Sequence, residues 1–309
     1  MENYNENNLN YNIIVVILLI TIIIFFIYSS KGIYDLFSQY LYEIKNIEPQ
    51  VIYNPNAEIA FVYVYTPNIF DYAQHSILNI LSYCEKYGYG MIIYNQVFND
   101  GVMPCWNKIA SILLNLKKFK YLVWIDADAI IANFNININQ FILENPQVDL
   151  LVCWDIFSHK ECFNSGIMII KNTEWAYNLF LKVWNSSIPH EHNDQNVIFH
   201  EIVKEIYPNS KPELKFSHYC SRLSHPKVKI YPENSFNTNI FNYNKGDFII
   251  HLMGTKSDAR IDIMRQINSS LSLDNYQSQE CINIINMNND ANRIELIERV
   301  CVKHDKFNS

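Results

Sequence analysis

Apolar residues recur along the chain at two spacings, separated by polar stretches. Ile59–Tyr65 (IAFVYVY) is an unbroken apolar run closed by Thr66-Pro67 and reads as a buried strand. From Tyr72 to Tyr87 the apolar positions Ile77, Leu81 and Cys84 fall at helical intervals. Met91–Tyr94 predicts a short strand and Trp106–Leu116 a helix. Tyr121–Ile125 (YLVWI) is apolar throughout, which suits a parallel strand covered on both faces. Leu150–Trp154 and Gly166–Ile170 predict further strands, Thr173–Trp184 and Asp194–Ile206 helices, and Phe248–His251 a last short strand. Strands alternating with helices predict an α/β domain over residues 57–270, built on a single mixed, mostly parallel sheet flanked by helices.

The ends of the chain follow other patterns. Residues 1–12 are a polar tail. Ile13 to Tyr28 is apolar apart from Thr21 and Tyr28. At 1.5 Å per residue it spans about 24 Å, against about 30 Å for a hydrocarbon core. With Tyr11 and Tyr28 as interfacial anchors, residues 13–30 predict a membrane-anchoring helix suited to a thin bilayer. A cleaved signal peptide would want a basic start and a small-residue cleavage site, which the segment lacks. Residues 31–56 read as a stem ending in Pro49 and Pro55. Residues 271–309 form a polar, Asn-rich tail with one amphipathic stretch, Ile294–Val302. Lys31 and Lys45 follow the apolar segment while Glu2 and Glu6 precede it, so charge alone would hold the C-terminal bulk in the cytosol.

Composition narrows the chemistry. The chain of 309 residues is 49% hydrophobic and 18% charged, a balance that excludes wholesale disorder. With 24 Lys and Arg against 31 Asp and Glu, the charge balance disfavours a general nucleic-acid binder. None of the seven glycines falls in a GxGxxG or GxxxxGK[ST] pattern, which disfavours a dinucleotide site or a Walker-type loop. The seven cysteines form no CxxC pair, so no zinc ribbon or thioredoxin-like motif is present, and most read as small buried hydrophobes.

The densest chemistry follows the YLVWI run. Asp126-Ala-Asp128 places two carboxylates at the C-terminal end of a buried strand, where open α/β sheets bind ligands. Two such acids can share one hard cation, and that cation can bridge a diphosphate. A solvated turn is the plain alternative for an isolated DxD, but an apolar run leading into adjacent acids calls for a partner that neutralises them. Haloacid-dehalogenase-like phosphatases also carry DxD after a strand, but on the first strand of their domain, whereas here two strand–helix units come first. Nucleotidyltransferases share the metal logic, yet their Gly-rich phosphate loop is absent.

Five segments, in order, resemble glycosyltransferase family 34, which holds fungal α-1,2-galactosyltransferases and α-1,6-mannosyltransferases and plant xyloglucan xylosyltransferases. They are Trp106-Asn-Lys108, WIDADAII around Asp126 and Asp128, Asn164-Ser165-Gly166, Asp194-Gln195, and the stretch from Gly246 through His251 and Gly254 to Lys256. The resemblance spans about residues 58–268. It implies a GT-A fold, a nucleotide-sugar donor (UDP or GDP, carrying galactose, mannose, xylose or glucose), a glycan or glycoprotein acceptor, Mn²⁺, and retention of anomeric configuration. It also implies a single-pass type II membrane protein of the Golgi or ER (host membranes if viral), against the charge-based orientation; the family topology is the one expected here.

The resemblance assigns roles. Asp126, Asp128 and His251 fall on the family's metal ligands. Lys108, Asn164, Ser165, Gly166, Gly254 and Lys256 line the donor, with Lys256 reaching the departing phosphate and the glycine at 166 letting backbone approach the ligand. Asn164-Ser165-Gly166 reads as a polar turn before its strand. Asp194-Gln195 sits beside the anomeric carbon, although Asp194 opening a helix can equally serve as its N-cap. Asn234-Ser235-Phe236 resembles an acceptor-side segment. His190, His192 and His200 read as surface or acceptor-side residues, and Asn185-Ser-Ser and Asn268-Ser-Ser as glycosylation sequons for a lumenal domain. A non-catalytic glycan-binding or structural domain of the same fold is the alternative.

Overall fold

The computed structural model describes residues 47–99, 102–155, 163–186, 193–208 and 224–273. The expected anchor at 13–30, most of the stem, the C-terminal tail beyond residue 273, His190 and His192 lie outside them. Among the described residues no helix is long and apolar enough to cross a membrane.

Along the chain run β1 (Val51–Tyr53), β2 (Ile59–Val64), α1 (Phe70–Tyr87), β3 (Gly90–Tyr94), α2 (Asn107–Asn115), β4 (Tyr121–Ile125), β5 (Ala129–Ile131), α3 (Asn139–Glu144), β6 (Leu150–Cys153) and β7 (Asn164–Lys171). Then follow α4 (Glu174–Trp184), α5 (Asp194–Ile206), β8 (Val228–Tyr231), β9 (Thr238–Asn239), β10 (Ile249–His251) and α6 (Ser257–Ser270). The strands expected from apolar runs form where they were read. β2, β3 and β4 are buried at every position, as strands covered on both faces must be. α1 ends at Gly88, whose φ of 71° supplies the left-handed turn that closes a helix without a Cβ clash.

Three expectations need correction. The sheet is mixed, as expected, but only half of its pairings are parallel. Its strand order is β1-β3-β2-β4-β7-β6-β8, with β3/β2, β2/β4 and β6/β8 parallel and β1/β3, β4/β7 and β7/β6 antiparallel. An apolar run reports burial but not direction, so β7 could not be placed antiparallel from its side chains. Nor is there a single sheet: β5, β10 and β9 form a second, three-stranded one, and His251 sits there. Val51–Tyr53, read as stem, is the outer strand of the main sheet.

The core gathers Phe61, Tyr83, Val123, Ile169 and Ile249 from both sheets and α1. α6 lies against α1 through a polar seam. Asn268 accepts from Asn79 Nδ2 (3.1 Å) and donates to His75 O (3.0 Å), while Asn79 holds both the N–H and C=O of Ile131. Asn268 is thus 1% exposed and hydrogen-bonded inside a helix, so the folded domain has no room for a glycan on the sequon read there.

Candidate functional site

β4 stops at Ile125 and the chain turns at once. The N–H of Asp126 donates to Gly166 O (2.8 Å), which continues the antiparallel β4/β7 register in which Ile125 faces Ile167. The N–H of Ala129 donates to Asp126 O (3.0 Å), closing a turn that feeds β5. β5 pairs antiparallel with β10 so that Ala129 faces His251, and Leu252 N–H donates to Asp128 O (2.8 Å). This pairing brings the imidazole to the acids. His251 Nε2 lies 3.2 Å from Asp128 Oδ1 and 3.7 Å from Asp126 Oδ2. One potential ligand atom from each residue falls within 4.8 Å of the other two, a spacing at which the trio could hold one divalent cation.

A second charged cluster stands behind the first. Trp106, fully buried and edge-on to Trp184, fixes the start of α2 and turns Lys108 inward. Lys108 Nζ reaches Asp194 Oδ2 (2.9 Å), Ser165 Oγ (3.0 Å) and Asp126 Oδ1 (3.3 Å), and lies 5.5 Å from the Trp124 ring centre. Burial alone would lower the Lys108 pKa, but Asp126 and Asp194 outweigh it and raise it, so the ammonium keeps its charge. Asp126 also accepts the Trp124 indole N–H at 2.6 Å. Ser165 Oγ donates to Asp194 Oδ2 (2.9 Å), and Ser165 N–H donates to Gln195 Oε1 (2.8 Å). Asp194 does not cap its helix: Asn193 does, accepting from Asn196 N–H at 3.0 Å. Asp194, at 3% exposure, is thereby released to pair with Lys108.

Asn164-Ser165-Gly166 is not a turn but the first three residues of β7. Their polarity reflects the groups they bond, since Asn164 Oδ1 accepts the N–H of Gly166 (2.8 Å) and Asn237 Nδ2 (2.9 Å). The role expected of Gly166 also changes. A Cβ at this position would lie 2.1 Å from His251 Cε1 and 2.6 Å from Nδ1. What approaches its backbone so closely is the His251 ring.

Lys256 is the expected residue that the structure does not bring to the site. The chain leaves β10 through Gly254, at φ 72°, and Lys256 stands exposed as the N-cap of α6. Arg260, one helical turn on and unnoticed in the sequence, reaches in instead. Its Nη2 lies 2.8 Å from Asp128 Oδ2, its Nη1 donates to Tyr72 OH and its Nε to Leu252 O (both 3.3 Å), and the guanidinium rests 5.0 Å from the Tyr72 ring centre. Burial alone would raise the Asp128 pKa, but His251 and Arg260 together bring it down to about 2. Two more readings are corrected. Phe236, read on the acceptor side, is fully buried in the core, and His200 is 2% exposed rather than a surface residue.

Both clusters open onto one cavity of about 440 Å³. Lys108, Asp126, Asp128, Asp194, His251 and Arg260 line it, together with Val64, Tyr65 and Thr66 at the end of β2. The residues converge from β4, β7, β10, α2, α5 and α6, and the cavity lies beyond the C-terminal end of β4, where α/β sheets bind their ligands.

Residues 62–158 match the galactosyl transferase GMA12/MNN10 family. That match bears out the resemblance read from the motifs and, with it, the expectation of a glycosyltransferase. No curated protein matches the chain. Among solved structures, a glycosyltransferase involved in the glycosylation of the major capsid of PBCV-1 is 17% identical, with 67% of this chain and 98% of that chain covered and a TM-score of 0.51. The glycosyltransferase GlyE of Streptococcus pneumoniae TIGR4 is 11% identical over 71% of this chain and 64% of that one, with a TM-score of 0.44. The galactosyltransferase LgtC, in complex with donor and acceptor sugar analogs, is 10% identical over 72% and 99%, at 0.39. The PBCV-1 protein shares the mixed α/β fold with its central sheet.

Proposed function

We propose that this chain, matched over residues 62–158 by the GMA12/MNN10 family, is a Mn²⁺-dependent retaining glycosyltransferase that moves a hexose or pentose from a UDP- or GDP-sugar to a glycan hydroxyl. The observation that carries the proposal is the convergence of Asp126, Asp128 and His251 on the rim of a cavity of donor size. Two carboxylates and one imidazole are a mixed oxygen and nitrogen set that suits Mn²⁺ better than Mg²⁺. Bound there, the cation would supply positive charge against the diphosphate that leaves with the nucleotide.

The protein's own groups do the rest. Arg260, braced by Tyr72 and the Leu252 carbonyl, presents a second positive charge to the same phosphates, the part assigned from the sequence to Lys256. Val64–Thr66 offer a lip for the nucleoside. Lys108, Asp194 and Ser165 form a dry polar floor that can bond sugar hydroxyls and fix the ring. Asp194 Oδ2 already takes both Lys108 Nζ and Ser165 Oγ, which makes this carboxylate a poor nucleophile. Its charge instead favours an oxocarbenium-like transition state, consistent with a front-face course in which the leaving phosphate deprotonates the acceptor. Gln195, engaged by Ser165 N–H, positions that floor. Anchoring by residues 13–30, with the domain lumenal, completes the proposal.

Release of nucleotide from a panel of UDP- and GDP-sugars tests it, with Mn²⁺, with chelator, and in Asp128→Asn. Turnover is expected only with the cation, and the variant is expected to lose more than the about 10–100-fold typical of outer-sphere partners while keeping its fold. Mn²⁺-independent release, or near-normal rates in Asp128→Asn, would sink the proposal.

A further inference from the structure

Asn237 lies between the Glu233–Ser235 turn and β9, fully buried, and none of the five motif segments contains it. Its hydrogen bonds have only one self-consistent direction. The chain of reasoning starts at a group that cannot switch roles, the backbone N–H of Gly166, which can only donate. It donates to Asn164 at 2.8 Å, so the carboxamide atom of Asn164 facing it must be Oδ1. That same Oδ1 lies 2.9 Å from Asn237, which must therefore present Nδ2. The other end of Asn237, 3.0 Å from His251 Nδ1, must then be Oδ1, an acceptor. His251 Nδ1 must carry a hydrogen.

We infer that Asn237 is a positioning residue for His251, holding a proton on Nδ1 so that Nε2, which faces Asp126 and Asp128, is the nitrogen that gives up its proton to a cation. An imidazole has one lone pair to give when neutral, and the hydrogen bond at one nitrogen decides which nitrogen gives it. Here the relay runs Gly166 N–H to Asn164 to Asn237 to His251, so the strand that begins beside Asp126 also dictates the imidazole's state. Gly166 therefore serves the ring twice, through the space its missing Cβ leaves and through the donor that starts the relay.

The inference rests on His251 being a cation ligand, but its central test needs no sugar transfer. Long-range ¹H–¹⁵N correlation spectra of ¹⁵N-histidine-labelled protein, recorded metal-free at alkaline pH and assigned by loss of signal in His251→Ala, read the tautomer directly. The expected pattern is a hydrogen on Nδ1, whether or not Nε2 also carries one toward Asp128. A bare Nδ1 overturns the inference whatever the enzyme does with sugars. The second measurement is affinity for Mn²⁺ alone. Asn237→Leu removes the acceptor and is expected to weaken Mn²⁺ binding by about 10–100-fold. Equal affinity in Asn237→Leu and wild type also overturns the inference. If Asn237→Leu does not fold, the wild-type spectrum still decides. Wild type that binds no Mn²⁺ refutes the cation reading above, while the spectrum separately decides the relay.

Discussion

Gly166 shows how little room single residues have at this site. Gly166→Ala would push a methyl into the His251 ring, and the ring cannot retreat without breaking its contacts to Asn237 and Asp128. Overpacking of this kind costs about 1–3 kcal/mol. The variant is expected to melt earlier and to bind Mn²⁺ more weakly, both readable in one thermal-shift titration with and without the cation. A variant that keeps its wild-type Mn²⁺ response would show that the ring does not need that space. Residues also differ in how well the sequence announces them. Asp126 and Asp128 stand out because an apolar strand leads straight into them. Arg260 and Asn237 do not, since one sits on a largely polar helix and the other among very short elements. Nothing in their neighbours' periodicity marks either as facing a cavity. The reading of Asn234-Ser235-Phe236 stopped one residue short of Asn237.

Helices and strands carry their own consequences. α2 delivers Lys108 to a place with 4% side-chain exposure, opposite Asp194 at 5%. Lys108→Met would leave Asp194 buried without its cation, a change that costs about 3–5 kcal/mol. Urea denaturation should show that loss, and an unchanged midpoint would mean the pair is not buried as described. In α5, burial first and Lys204 second lower the pKa of His200, so the folded protein keeps it neutral. The unfolded chain takes up a proton near pH 6.5 that the folded one does not. Stability should therefore fall as pH drops below that value, until the lower folded pKa is passed. His200→Leu should flatten this part of the stability–pH curve, and parallel curves for the two proteins would dismiss the effect. The elements that side-chain pattern revealed were those long enough to repeat it, as in β2, β4 and α1. β5 and β9 are too short to show a period, and the direction of β7 follows from which strand it meets.

For the whole molecule, the described fold and residues 13–30 make separable predictions. The full chain is expected to stay with membranes through alkaline carbonate extraction, and deletion of residues 1–30 should release it; extraction of the full chain would dismiss the anchor. The architecture also sets an order of events. Asp128 and His251 are separated by 123 residues and meet only when β10 closes on β5, a pairing of the slow, non-local kind. A polypeptide still emerging from the ribosome exposes its two acids long before the imidazole that completes their grip exists. A divalent cation bound by all three side chains would thus have to wait until residue 251 is made and β10 has paired, so that its uptake would mark a finished site.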